Sequence, residues 1–251
     1  MSVNWQSFYE KDHLVHPLSK EMDEREQILW DLASELLPAE SIEKLLDVGC
    51  GPGHITNKFR ERGIPHVQGC DISPYGVNFA STNHSQCNFE VSSITDLRYP
   101  SNSFDLVSAL ELLEHIDDLD CALRELVRVS RRWVLVTVPF EQKIPIMLCP
   151  FCLNHFNCGG HLHSFSQRDL VDLFSKHGLR VTKISYRASS TPAWEQRLKS
   201  LHIGQSVIAA LTKTLIQLKL TQAQKPSWMG LLGLKSEIPP DSGGSSKNGT
   251  Q

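Results

Sequence analysis

The chain has 251 residues, 40% of them hydrophobic, enough for one α/β domain with a sizeable core and some additions. Its net charge of −3 gives no electrostatic reason to expect nucleic acid or an anionic membrane as partner. No segment reads as a signal peptide or as a stable membrane insertion. The seven scattered cysteines suit the thiols or metal ligands of a reducing cytoplasm.

Residues 1–38 read as a helical N-terminal cap, with Trp5, Phe8, Tyr9, Ile28, Leu29, Trp30, Leu32, Leu36 and Leu37 supplying apolar surface. From Lys44 the chain alternates. Strands are expected at Lys44–Val48, Val67–Cys70, Asn88–Val91, Phe104–Ala109, Trp133–Val138 and Arg180–Ser185. Helices are expected at Gly53–Arg62, Pro74–Ser81, Asp117–Ser130 and Ser166–His177. This alternation predicts an α/β domain over residues 39–186 with a doubly wound, mostly parallel Rossmann-like sheet, and ligands at the carboxyl ends of its strands. Residues 139–163 form a Cys/His-rich insertion after the fifth strand. Residues 187–238 are expected to be a helical C-terminal addition, with an amphipathic helix at Ile203–Lys219, and 239–251 a Ser/Gly/Asn-rich disordered tail.

The most informative stretch is Leu-Leu-Asp-Val-Gly-Cys-Gly-Pro-Gly at residues 45–53. An apolar strand ends in Asp47 and breaks into Gly49, Gly51 and Gly53 before a helix. Glycine lets backbone approach a ligand closely, and a helix start offers free N–H groups. About eighteen residues on, a second short strand ends in Asp71, a spacing that suits a carboxylate taking ribose hydroxyls. A dinucleotide fingerprint wants glycine where His54 stands, which disfavours a nicotinamide-dependent oxidoreductase.

With Gly-Cys-Asp-Ile-Ser (69–73), Asn-Ser-Phe-Asp-Leu-Val (102–107), Leu-Leu-Glu-His (112–115) and the strand Trp133–Pro139, the chain resembles the class I S-adenosylmethionine-dependent methyltransferases from about Ile42 to Tyr186. The resemblance implies S-adenosylmethionine as cofactor. Asp47 and Gly49 would hold its methionine end, with close backbone approach at Gly51 and Gly53. Asp71 would take the ribose and Ile72 the adenine, with Cys50, Ser93, Ile94 and Leu110 as further contacts. Ser93 stands where the family often places an acid, and Asp96 comes later.

Glu111, Glu114 and His115 follow the fourth strand as Glu-x-x-Glu-His. On a helix these three share one face, beside the expected position of the methyl group. The pattern resembles the metal site of small-RNA 2′-O-methyltransferases and ubiquinone-pathway O-methyltransferases, which implies a catalytic Mg²⁺ or Mn²⁺, with His161 or His163 as a further ligand in the former. Two other readings stand beside it: His115 as a metal-free general base, or Glu114 and His115 as a structural pair.

Cys149-Pro-Phe-Cys152, with Cys158, His161 and His163 nearby, has the ligand types of a structural zinc site; an ordinary loop with free thiols is the alternative. If 161–163 is extended, its two histidines point oppositely, one toward each metal. The sequence thus supports methyl transfer to a small-molecule acceptor, with a lean toward a hydroxyl oxygen, by a monomer or homodimer. C- or N-methylation of a quinone or natural-product intermediate, and a catalytically silent binding protein, are the alternatives. Trp5, Phe8, Tyr9 and His13 are candidate liners of the acceptor pocket.

Overall fold

The computed structural model describes residues 4–144, 146–148, 153, 155–157, 160–188 and 226–236. Its body is a seven-stranded sheet. The strands are β1 Lys44–Val48, β2 His66–Asp71, β3 Asn88–Val91, β4 Phe104–Leu110, β5 Ser130–Pro139, β8 Leu179–Arg187 and β9 Trp228–Lys235, in the spatial order β3-β2-β1-β4-β5-β9-β8. The first five pair in parallel; β9 is antiparallel to both β5 and β8. The strand order reverses at β1, between β2 and β4, and the carboxyl ends there form the crevice where doubly wound sheets take ligands.

Helices cover both faces. On one, Leu123 and Leu126 of α5 (Leu119–Val129) and Leu170 and Phe174 of α6 (Gln167–Lys176) pack on Val107, Val134, Val136 and Leu231. On the other, Leu32, Ala33 and Leu36 of α2 (Glu24–Leu36) and Phe59 of α3 (His54–Glu61) pack on Leu45, Leu106, Leu135 and Leu232. The central strands are apolar on both faces because both are covered. A further helix, α4 (Pro74–Asn83), starts with Ser73 as N-cap and Pro74 in the first turn.

The expected helical cap is two helices. The first, α1 (Trp5–Val15), is capped by Asn4; α2 starts at Asp23, whose side chain and that of Glu26 form a reciprocal capping box. Pro17 lies in the connection and lacks the N–H that a continuous helix needs.

The expectation that 187–238 is a helical addition fails at 228–235. That segment is β9, a central strand, paired from Trp133↔Leu234 to Pro139↔Trp228 on one side. Its glycines explain how it fits. A Cβ on Gly230 would meet Leu36 at 2.5 Å, and one on Gly233 would meet Phe174 at 2.8 Å, so each face of β9 lets a helix approach closely. The predicted helix at 203–219 and the tail at 239–251 lie outside the described residues. Within the 139–163 insertion, β6 (Ile146–Leu148) and β7 (His155–Asn157) pair as a small antiparallel ribbon. The insertion rejoins the body where the Glu141 N–H donates to the Phe165 carbonyl at 2.9 Å.

Candidate active site

A cavity of about 650 Å³ opens over the carboxyl ends of β1, β2 and β4. Asp47, Gly49, Cys50, Gly51, Asp71, Ile72, Ser93, Ile94 and Leu110 line it. The turn after β1 has left-handed backbone at Gly49 (φ 75°) and Gly51 (φ 50°). A Cβ on Gly49 would lie 2.8 Å from Leu112, whereas one on Gly51 would meet nothing within 4 Å and would stand in open space. Gly51 therefore offers bare backbone to whatever fills the cavity. Gly53 does not line the cavity. It is the N-cap of α3 at φ 82°, and a Cβ there would strike Ala80 and Phe89 at 2.8–2.9 Å, so its work is to let the turn pack.

Two acids brace this turn. Asp71, at the end of β2, accepts the Gly51 N–H and the Ser73 N–H, both at 2.9 Å. These two bonds orient the Asp71 carboxylate at the cavity. Asp47 is 3% exposed. The register sets Asp47 opposite Ser108, and the Ser108 and Thr56 hydroxyls each donate to its carboxylate at 2.7 Å. Burial outweighs those two donors and raises the Asp47 pKa to about 6, with the charge of Asp71 adding to the rise. A buried carboxylate in need of positive charge, facing a cavity beside bare glycine backbone, fits a zwitterionic amino acid end of a cofactor. Burial and the two acids also push the Cys50 thiol well up, so it serves as packing and not as a nucleophile.

The segment after β4 departs from one continuous helix. Glu111 has left-handed backbone (φ 52°), uncommon for a non-glycine residue, and only Leu113–His115 form a short 3-10 turn. Glu111 lines the same cavity as His115 but is not part of the cluster that Glu114 and His115 form with His161. Its Oε2 accepts the Trp228 indole N–H at 2.9 Å and lies 3.8 Å from the Arg25 guanidinium. Burial lifts its pKa to about 7, against the pull of Arg25.

Glu114 is fully buried, and among the described residues neither carboxylate oxygen has a hydrogen-bond partner. Burial first, and then Glu111, hold its pKa well above the usual carboxylate range. Ligand atoms of Glu114, His115 and His161 all lie within 4.8 Å of one another. His115 Nδ1 is 3.2 Å from the Gly160 carbonyl, and His161 Nδ1 is 2.5 Å from Gln142 Oε1. The two rings meet edge to face at 4.7 Å between centroids. Burial lowers the His115 pKa to about 4, and His161 adds to the fall.

The glutamate backbone carries the 161–163 loop: the Leu162 and His163 N–H groups donate to the Glu114 carbonyl at 2.6 and 3.2 Å. His161 then faces the cavity, and His163 turns to the Ile116 carbonyl at 2.8 Å and does not line it. Cys149, Cys152 and Cys158 lie outside the described residues. The far wall is aromatic, formed by Trp5, Phe8 and Tyr9 of α1. Trp5 sits edge-on to His115 at 5.7 Å and over Gly160, where a Cβ would meet it at 2.8 Å. The His13 side chain lies outside the described residues.

Several site residues escape the sequence reading. Ser108 carries a signal, a hydroxyl in the middle of the buried strand Phe-Asp-Leu-Val-Ser-Ala-Leu. Arg25, Gln142 and Trp228 carry none, because each reaches the site from a distant segment.

A family model described as "Methyltransferase domain" matches residues 8–184. The chain is 33% identical to ajmaline N-methyltransferase from Rauvolfia serpentina over 103 residues, 37% of this chain and 34% of that one. It is 32% identical to 27-O-demethylrifamycin SV methyltransferase from Amycolatopsis mediterranei over 119 residues, 45% and 44% of the two chains. It thus spans less than half the length of these curated relatives. A crystal structure described as a putative S-adenosylmethionine-dependent methyltransferase from Listeria monocytogenes superposes with a TM-score of 0.60 at 13% identity, over 85% of this chain and 99% of that one. Among the described residues no helix is long and apolar enough to cross a membrane.

Proposed function

The chain belongs to the class I S-adenosylmethionine-dependent methyltransferase family, and from that premise we propose that it methylates a small-molecule acceptor at a hydroxyl oxygen. The observation that carries the reading is the single cavity joining the glycine turn and Asp71 to His115, His161 and the aromatic wall of α1. S-adenosylmethionine bound there would supply a methyl group on a positively charged sulfur.

The chain's own residues would do the rest. Asp47 and the backbone at Gly49 and Gly51 would hold the amino acid end, Asp71 the ribose, and Ile72, Ser93 and Ile94 would flank the base. Trp5, Phe8 and Tyr9 would hold an aromatic or apolar acceptor against the reacting end. Fixing two centres in line supplies most of the acceleration in such a displacement. These residues would hold the acceptor oxygen in line with the methyl-bearing end of the cofactor, and a neutral imidazole, His115 or His161, would take the hydroxyl proton.

A neutral amine attacks with its own lone pair, whereas a hydroxyl is a poor nucleophile until its proton leaves. The wall beside the aromatic residues holds His115 and His161, two imidazoles that burial keeps neutral and so able to accept a proton. Their presence supports oxygen as the acceptor atom. Both O- and N-methyltransferases are among the proteins to which the chain is similar, so the acceptor atom needs its own test.

Mass spectrometry of ligand that copurifies would give the acceptor's class. Transfer of labelled methyl to paired hydroxyl and amine analogues of that ligand then decides the atom. Methylation of the hydroxyl analogue alone is the expected result; transfer to the amine alone would overturn it.

A further inference from the structure

We infer that Glu114, His115 and His161 form a binding site for a first-row divalent transition cation, of the Zn²⁺ or Fe²⁺ type, in the wall of the cavity. This goes beyond the methyl-transfer reading and rests on it only for what the cation would do.

The site is built in three respects. Ligand atoms of all three side chains come within 4.8 Å of one another. Glu114 is fully buried, and among the described residues both its carboxylate oxygens are unpartnered, a costly arrangement that a cation would relieve. Both histidines are also set in the tautomer that ligation needs. A carbonyl oxygen only accepts, so the contact with Gly160 fixes the His115 proton on Nδ1, and Gln142 Oε1 does the same for His161. Each ring then presents Nε2 as a lone pair, and holding the remote ring nitrogen in this way is how proteins orient metal-binding histidines.

The donor set differs from the one the Glu-x-x-Glu-His spacing suggests. Glu111 is not among the side chains whose ligand atoms converge here; its Oε2 accepts the Trp228 indole N–H near Arg25, and His161 joins Glu114 and His115 from the insertion. Two imidazoles and one carboxylate suit Zn²⁺ or Fe²⁺, whereas Mg²⁺ prefers oxygen throughout. Three protein ligands leave a position for a small molecule. A cation held there lowers the pKa of a hydroxyl bound beside it, which is what an oxygen acceptor requires.

The test is titration of chelator-treated full-length protein with Co²⁺, read by its visible d–d absorption. A Cys149→Ser/Cys152→Ser variant is used throughout, to remove cobalt held by thiolates. One bound cobalt without sulfur charge-transfer bands is expected. Glu114→Gln and His161→Ala should each weaken binding by at least about tenfold, and Gln142→Ala, which removes only the acceptor behind His161, by roughly 10- to 100-fold. Absence of cobalt binding in the double-cysteine variant, or equal affinity in all three site variants, overturns the inference. Calorimetry with S-adenosylmethionine on the metal-free protein separates the two readings, because cofactor binding without cobalt binding removes the cation and leaves methyl transfer standing.

Discussion

Asp47 carries a stability cost that a single substitution should expose. It is 3% exposed, and its carboxylate has only the Thr56 and Ser108 hydroxyls to replace water. Its pKa rises from an ordinary 3.8 to about 6. That difference corresponds to about 3 kcal/mol by which the charged form opposes folding at neutral pH. The sign follows from the direction. With the folded pKa above the unfolded one, the cost is full above about pH 6, shrinks as pH falls, and is gone below about pH 4. Asp47→Asn keeps the size, and both hydroxyls can pair with the amide, although neutral hydrogen bonds return about 1 kcal/mol less than charged ones. The variant should therefore be more stable than the wild type by about 1 kcal/mol at pH 7.5 and no more stable at pH 4. Urea unfolding of both proteins at pH 7.5, 6 and 4.5, followed by circular dichroism, measures the gap. A variant that is less stable at pH 7.5, or a gap that does not change with pH, would refute the reasoning. The same variant should bind S-adenosylmethionine far more weakly, since the charge that costs stability is the one a cofactor ammonium would neutralise.

The glycine turn offers a matched pair. Gly51→Ala places its methyl in the open cavity at φ 50°, so it should cost only about 1 kcal/mol in stability yet weaken cofactor binding strongly by calorimetry. Gly53→Ala meets Ala80 and Phe89 at 2.8–2.9 Å, so its main effect should be a lower melting temperature. Gly230→Val should destabilise by about 1–3 kcal/mol or more in denaturant, because Leu36 stands 2.5 Å from the new Cβ; an unchanged midpoint would mean that α2 does not pack there. Trp228→Phe strips Glu111 of its indole donor and leaves a buried carboxylate short of a partner, at an expected cost of about 1–3 kcal/mol by the same measurement.

The parts legible in the sequence are those that local pattern dictates. The strands from β1 to β5, the glycine turn and Asp71 stand out because buried parallel strands are short apolar runs, and the turn needs glycine at Gly49 and Gly51. The parts that escape depend on distant partners. Trp-Met-Gly-Leu-Leu-Gly-Leu reads as readily helical as extended, and only pairing with β5 and β8, about 90 and 50 residues away, makes it β9. The Glu-x-x-Glu-His face fails for a similar reason. Residue spacing assumes helical backbone, and nothing local announces the positive φ of Glu111, which tertiary bonds to Thr137 and Trp228 accompany. His161 reaches the site only because the Glu114 carbonyl anchors the end of the insertion. His161 and His163 do part company, one at Gln142 in the cavity wall and the other at the Ile116 carbonyl.

Calorimetric titration of the full chain with S-adenosylmethionine tests the central claim most directly. One saturable site is predicted, lost or greatly weakened in Asp71→Ala, which removes the carboxylate bonded to the Gly51 and Ser73 N–H groups. No binding by the wild type at millimolar cofactor, or binding unaffected by Asp71→Ala, would contradict the account.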